Sequence, residues 1–360
     1  MRRKTRTINV GGVKIGSHFP VRIQSMTKTD TRDVRKTVAQ IKELEKCGCE
    51  IVRVAVKDKL AARAIKKIKR KIRVPLVADI HFDFHLALEA IKNNADKIRI
   101  NPGNISNPEH LKEIIGAAKK KRVPIRIGLN SGSLVPMDES LPAGQAGTKG
   151  RKDDSFIKTA LKYIKFFEKQ DFHDIIISLK SSSVPETVSV YRKLAVLCDY
   201  PLHLGVTAAG SYNTGIVKSA IGIGALLLDG IGDTIRVSLT EDPVEEVIAA
   251  KRILQAVDVR RFGPEIISCP TCGRCQVDLL RITAALESAF RGTRDEGRGT
   301  NVKIAVMGCE VNGPGEAREA DVGIAFGKGF GMLFKKGKII KKIKTRNAVK
   351  ELLKCVGHKP

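Results

Sequence analysis

Eight short runs rich in β-branched residues recur along roughly the first 260 positions, each followed by a longer stretch with helical spacing. The runs are Val21–Met26, Ile51–Val56, Val74–Ile80, Lys97–Ile100, Val123–Leu129, Asp174–Leu179, Pro201–Val206 and Asp233–Leu239. Asp33–Lys46 shows the intervening pattern, with Val34, Val38, Ile41 and Leu44 near one helical face. In Pro108–Lys121, Pro108 suits a first helical turn after the cap Asn107. Glu186–Leu197 and Pro243–Ala256 read the same way. Strand and helix alternating eight times predict an α/β fold with an N-terminal (β/α)8 TIM barrel. An open doubly wound sheet is the alternative. Eight units, and no Gly-x-Gly-x-x-Gly turn after the first strand, favour the barrel.

Two stretches break the pattern. Leu134–Asp154 carries Pro142, Gly144, Gly147 and Gly150 with little periodicity and reads as a loop inserted after the fifth strand, over about 134–154. Arg260–Pro264 marks a boundary, giving a barrel over 1–262 and a smaller α+β unit over 263–360. In the latter, Val302–Met307 and Val322–Ala325 look like strands, Gln276–Ala289 like a helix and Lys335–Gly337 like a hairpin turn.

The formal net charge of +27 favours anionic partners, or is simply a lysine-rich solvated surface. Aromatics make up only 4% of the chain and Trp is absent, which argues against a base-stacking platform for nucleic acid. Asn9, Gly11, Gly12 and Lys14 interrupt any apolar core behind the basic Met1–Arg6, so no secretory signal is expected. The most apolar run, Ile221–Leu228, ends at Asp229 and is too short to span a bilayer. A cytoplasmic protein without membrane contact is the expectation. Eight cysteines in a reducing compartment are then not a disulfide framework. Cys47, Cys49, Cys198 and Cys355 read as ordinary thiols.

Cations recur inside the apolar strands: Arg53, Arg99, Arg126, Lys180 and Arg236. A lone charge there is costly unless paired. Either each finds an internal acid, such as Glu50 or Asp96, or several converge at the barrel mouth on an anion rich in oxygen, which Arg grips in a bidentate way. Arg236 is the weakest member, because Asp233 is close in sequence. Asp79 and His81, at i and i+2 in Val-Ala-Asp-Ile-His-Phe, share a strand face. They could orient an imidazole for proton transfer, ligate a metal, or form a structural hydrogen bond. Asn130 and Ser131 end the fifth strand and could donate to a substrate.

Cys269-Pro-Thr-Cys272-Gly-Arg-Cys275 and the later Cys309 form a soft-donor group. Such thiolates select zinc or an iron–sulfur cluster, or act as a redox dithiol. A single cysteine in the second half, followed by Glu310 and Glu316 in a glycine-rich turn, suits zinc badly and a three-cysteine cluster well. The fourth ligand stays open between Cys275, Glu316 and an exchangeable position. The Cys-x-x-Cys-x-x-Cys spacing is not the Cys-x-x-x-Cys-x-x-Cys of radical enzymes that use S-adenosylmethionine.

The chain resembles the 4-hydroxy-3-methylbut-2-enyl diphosphate synthases of the non-mevalonate isoprenoid pathway. Matching segments run nearly its whole length: Val21–Thr27, Ile51–Val54, Val74–Phe82, Arg99–Asn104, Pro124–Asn130, Pro201–Gly205, Val217–Gly222, Gly232–Ser238, Cys269–Cys272 and Val311–Glu316. The resemblance implies an oxidoreductase that opens 2-C-methyl-D-erythritol 2,4-cyclodiphosphate by a two-electron reduction and dehydration. It implies a [4Fe–4S] cluster on Cys269, Cys272, Cys309 and Glu316, with flavodoxin or ferredoxin as electron donor. It places diphosphate binding on Arg53, Arg99, Arg126 and Lys180, and polar active-site roles on Asp79, His81 and Asn130. It implies a homodimer in which the cluster domain of one subunit closes over the other's barrel mouth. One departure matters. The family reads Thr-Glu-Ala-Gly after the seventh strand, and this chain reads Thr207-Ala208-Ala209-Gly210. Cys275 and the insertion around Leu141–Gly150 are smaller departures.

Overall fold

The computed structural model describes residues 2–101, 103–130, 149–290, 302–311 and 320–357, with side chains left out at 149–153. The chain divides into two compact units, Met1–Arg260 and Arg261–Pro360.

The first unit opens with a hairpin, β1 (Ile8–Val10) and β2 (Val13–Ile15). Gly11 and Gly12 fill its two-residue turn with φ of 55° and 93°, the double positive φ that matches strand twist. Then come the barrel strands β3 (Arg22–Met26), β4 (Ile51–Val56), β5 (Leu76–Ile80), β6 (Lys97–Ile100), β7 (Ile125–Asn130), β8 (Ile175–Lys180), β9 (His203–Leu204) and β10 (Thr234–Ile235). They pair in parallel in the order β8-β7-β6-β5-β4-β3-β10-β9. A parallel bridge between Ile177 and Leu202 brings the two ends of the sheet together. The eight-stranded barrel expected from the alternation is therefore present. Strands β9 and β10 are shorter than the sequence runs suggest. Beyond them single hydrogen bonds carry on, from Arg236 N to Leu204 O (3.0 Å) and from Thr207 N to Ser181 O (3.0 Å).

Helices follow the strands with a repeated start signal. In α1 (Val34–Lys46), α2 (Lys59–Lys69), α3 (Phe84–Lys92) and α4 (Pro108–Lys121) the caps Asp33, Asp58, Asp83 and Asn107 each accept a backbone N–H of the first turn. These side chains satisfy donors that a helix start leaves bare. Next come α5 (Lys149–Lys169), α6 (Val184–Ala195), α7 (Tyr212–Leu228) and α8 (Pro243–Ala256). Since α5 begins at Lys149, the residues from there to Asp154 are helix, not part of the inserted loop that the glycines suggested. The rest of that stretch, like Ser131, lies outside the described residues.

The hairpin does what no barrel strand can. Ile8, Val10 and Ile15 pack with Ile51, Val77 and Ile176, residues near the amino ends of β4, β5 and β8. They form an apolar floor, so polar groups in the lumen are displaced toward the opposite mouth.

The second unit is one five-stranded sheet: β11 (Glu265–Ser268), β12 (Lys303–Met307), β13 (Val322–Gly327), β14 (Phe330–Lys335) and β15 (Lys338–Lys344), in that order. The first three strands run parallel and the last two antiparallel. Helices α9 (Leu279–Phe290) and α10 (Ala348–Cys355) bury Leu279, Leu286, Leu352 and Leu353 against one face. Among the described residues, no helix is long and apolar enough to cross a membrane.

If the floor seats the barrel, Ile15→Ala costs about 2–5 kcal/mol. Urea unfolding should show a lower midpoint with an unchanged slope.

Candidate active site

Side chains alternate along a strand, so every second residue of a barrel strand points inward. That periodicity puts Arg53, Asp79, Arg99, Arg126 and Lys180 in one lumen, and adds Lys97, Gln24 and His203. All eight are buried. The register sets Asp79 opposite Arg99 and Arg99 opposite Arg126. Asn130 lies opposite Lys180 at the carboxyl ends of β7 and β8.

Asp79 is the hub. Arg99 donates to its Oδ1 at 3.2 Å, and Arg53 Nε lies 3.6 Å from its Oδ2. His81 Nε2 is 3.4 Å from the same Oδ2, with its side chain 51% exposed against 3% for Asp79. The expected shared face thus becomes a buried carboxylate linked to an imidazole at the open mouth. Burial pulls the Asp79 carboxyl upward, but Arg53, His81 and Arg99 outweigh it and hold the group well below the usual carboxylate range.

The other cations lack such a partner. Among the described residues Lys97, Arg126 and Lys180 form no ion pair. Lys97 reaches across to Gln24 Oε1 at 3.5 Å. Among the described residues, Arg126 Nε and Nη1, Arg99 Nε and Gln24 Nε2 have no hydrogen-bond partner. Burial drives Arg53 down to about 9 and pulls Lys97, Arg126 and Lys180 well below their ordinary values, with neighbouring guanidiniums adding to the effect. Two glycines make room. A Cβ on Gly128 would meet Arg99 Nε at 2.6 Å, and one on Gly205 would meet Lys180 Nζ at 2.6 Å.

The acids that sequence offered as internal partners are used elsewhere. Glu50 pairs with Arg22 and Arg260, and Asp96 with Lys69. Arg236 takes Glu246 at 3.8 Å rather than Asp233, which binds Arg2 at 2.9 Å. Lys97 and His203 were missed by sequence reasoning. The signal for Lys97 was present, since it lies two residues before Arg99 on the same face.

In the second unit, β11 and β12 are parallel neighbours with Ser268 opposite Val306. Cys269 follows one strand end and Cys309 lies just beyond the other. Gly308 N–H donates to Cys269 Sγ at 3.2 Å, and Gln276 N–H donates to Gly308 O at 2.8 Å. The two cysteine turns are therefore tied together at Gly308. Cys275 packs there as well, since a Cβ on Gly308 would meet its Sγ at 2.5 Å. Cys272 is exposed, and hydrogen bonds from the Arg274 backbone and side chain pull its thiol below the ordinary range. Glu316 lies outside the described residues. Among the described residues, no three His, Cys, Asp or Glu side chains form a group that could hold a single metal ion. A multi-iron cluster spaces its thiolates farther apart than one ion does. Soft donors on two turns joined at one glycine, with an N–H already directed at sulfur, fit such a cluster.

Fold and side chains define a (β/α)8-barrel protein with a cationic lumen and a separate mixed-sheet unit bearing thiols at one sheet end. Comparison with known proteins makes this specific. The GcpE TIM-barrel domain matches residues 5–251 and the GcpE protein C-terminal domain matches residues 265–358. The chain belongs to the GcpE family. It is 55% identical over 357 residues to the 4-hydroxy-3-methylbut-2-en-1-yl diphosphate synthase (flavodoxin) of Fusobacterium nucleatum, covering 99% of this chain and 98% of that one. The enzyme of the same name from Clostridium perfringens is 53% identical, with 99% of each chain covered. Among solved structures, 7,8-dihydropteroate synthase from Vibrio fischeri superposes with a TM-score of 0.51 at 12% identity, covering 70% of this chain and 98% of that one. Such a likeness shows the barrel fold alone.

Asp79→Asn removes the one carboxylate that Arg53 and Arg99 share. The expected loss is about 3–5 kcal/mol at pH 7, partly recovered by millimolar pyrophosphate. The folded-state carboxyl titrates below the unfolded value of about 3.9. Its contribution is therefore present above that pH and fades as pH falls through the folded value. Denaturation curves of wild type and variant should converge as the pH drops below about 4.

Proposed function

We propose that this chain carries out the two-electron reductive opening of 2-C-methyl-D-erythritol 2,4-cyclodiphosphate to 4-hydroxy-3-methylbut-2-enyl diphosphate. The reaction consumes two electrons and two protons and releases one water. The observation that carries the reading is the lumen, where, among the described residues, buried cations outnumber the carboxylate they share and Arg126 keeps two nitrogens unpartnered. A cyclic diphosphate supplies the missing charge and acceptor oxygens, and Arg can take them in pairs. Relatives alike over the whole chain carry the name of this synthase.

In this reading Arg53, Arg99, Arg126 and Lys180 bind the diphosphate. Asp79 fixes Arg53 and Arg99 so that their remaining donors face the substrate. His81, at the open mouth, and Asn130, beside Lys180, supply polar contacts and proton transfer. Cys269, Cys272 and Cys309, with Glu316, would hold a [4Fe–4S] cluster. When bound, that cluster supplies low-potential electrons and an iron site whose oxygen ligand exchanges readily. Flavodoxin or ferredoxin is the proposed donor, since the relatives' name specifies flavodoxin. A cytoplasmic homodimer completes the proposal, as the family resemblance implies.

Ala208 tests the proton side. It is exposed, with φ at 49°, and offers no acid. Removing a general acid commonly costs about 10²–10⁴ in rate. If His81 or solvent delivers protons in this chain, Ala208→Glu leaves kcat within about tenfold of wild type. The assay is anaerobic turnover of the cyclodiphosphate with reduced flavodoxin, alongside iron and sulfide analysis. Stoichiometric zinc without iron, or no turnover by either protein, would sink the reading.

A further inference from the structure

His203 lies on β9, wholly buried, and the roles given above do not use it. Its Nδ1 is 2.7 Å from Thr234 Oγ1 and its Nε2 is 3.3 Å from Lys180 Nζ. A lysine ammonium only donates. The Nε2 that faces it must therefore present a lone pair, which leaves the ring proton on Nδ1, donated to Thr234 Oγ1. The surroundings fix both partners. Gly205 leaves the space that Lys180 Nζ fills, and its missing Cβ would also lie 2.5 Å from Arg236 O. The Tyr191 hydroxyl donates to His203 O and accepts from Leu179 N–H at 3.0 Å, joining β8 to β9 at this level. Burial, followed by Arg126, Lys180, Lys97 and Arg53, pushes the imidazole well below its ordinary value.

We infer that His203 is a positioning residue for Lys180, a neutral, Nδ1-protonated imidazole that holds the ammonium in place for a phosphate group. The inference rests on the proposed role of Lys180 in binding the diphosphate and extends it. A carboxylate in place of His203 would also hold the lysine, but it would cancel the charge the ligand needs. A neutral acceptor engages one of three ammonium donors and leaves two donors and the full charge for the ligand. Because a hydroxyl can either donate or accept, the tautomer is set by Lys180 at Nε2, and Thr234 Oγ1 accepts the Nδ1 proton that results.

Two measurements test this on the full-length chain as purified. The first is two-bond ¹H–¹⁵N NMR of the histidine rings. It should show His203 with Nδ1 protonated and Nε2 bearing the lone pair between pH 6 and 8. The opposite tautomer, or a doubly protonated ring, overturns the inference. The second is calorimetric binding of inorganic pyrophosphate to wild type, His203→Leu and His203→Gln. The Leu variant should bind about 10- to 100-fold more weakly, the loss expected when a hydrogen bond to a charged group goes. The Gln variant, whose carbonyl oxygen can accept, should recover most of that loss. Equal binding by the Leu variant overturns the positioning role alone. Failure of the wild type to bind pyrophosphate overturns the anion reading of the lumen and this role with it. If His203→Leu does not fold, the Gln variant and the tautomer decide.

Discussion

The carboxylate of Asp79 is what allows a cationic lumen to exist inside an apolar barrel. Arg53, Arg99 and His81 all lie within 3.6 Å of its oxygens. A carboxylate shared between two guanidiniums fixes both in place, yet cannot neutralise both. The barrel is thus left with rigid, desolvated positive charge. Burying one unpaired ion costs several kcal/mol, a large share of the 5–15 kcal/mol that stabilises a typical domain. Cations kept under that penalty need an anion to relieve it. Burial pushes Lys97, Arg126 and Lys180 well below their ordinary values, which shows how strongly the penalty acts on each. Binding a multiply charged anion supplies the relief.

Much of this was legible in the sequence because strand periodicity is strict. A lone charge inside an apolar strand run is costly unless it meets a partner in the lumen, whichever strand it occupies. Hence Arg53, Arg99, Arg126 and Lys180 stand out in the sequence itself. Their pairing does not, because it depends on which strands become neighbours. Asp96 and Glu50 were plausible partners in sequence, but they sit near the amino ends of their strands, away from the mouth. The hairpin Ile8–Ile15 was hidden for another reason. Its Gly11-Gly12 turn was visible, but each strand is only three residues long, too short to show an alternation. The start of α5 was obscured by the charged Arg151-Lys152-Asp153-Asp154, which carries no apolar period.

The cysteine unit shows a different limit. Spacing identified a soft-donor group, but only the parallel pairing of β11 and β12 explains why residues forty positions apart, Cys269 and Cys309, reach one sheet end. Gly308 must be small there because the Cys275 sulfur occupies the space beside it. That gives the extra thiol a packing reason, so Cys275 need not be a ligand to be accommodated.

The lumen is also layered, and the layering bears on how an anion would be held. On neighbouring strands Val77 stands opposite Lys97 and, two residues on, Asp79 stands opposite Arg99, with His81 beyond Asp79 at the rim. Two residues along a strand span about 6.6 Å. Lys97 is therefore one layer too deep to share Asp79 as Arg99 does, and it reaches the Gln24 amide oxygen instead. Charge in that position contributes through the field rather than by contact, and low dielectric carries the field farther than water would. A mobile surface lysine could not do this, because screening would remove its effect within about 10 Å. The large surface excess of lysine and this small interior set thus act differently. Only the interior set is held rigid enough by Asp79, His203 and the two glycines to distinguish one anion from another.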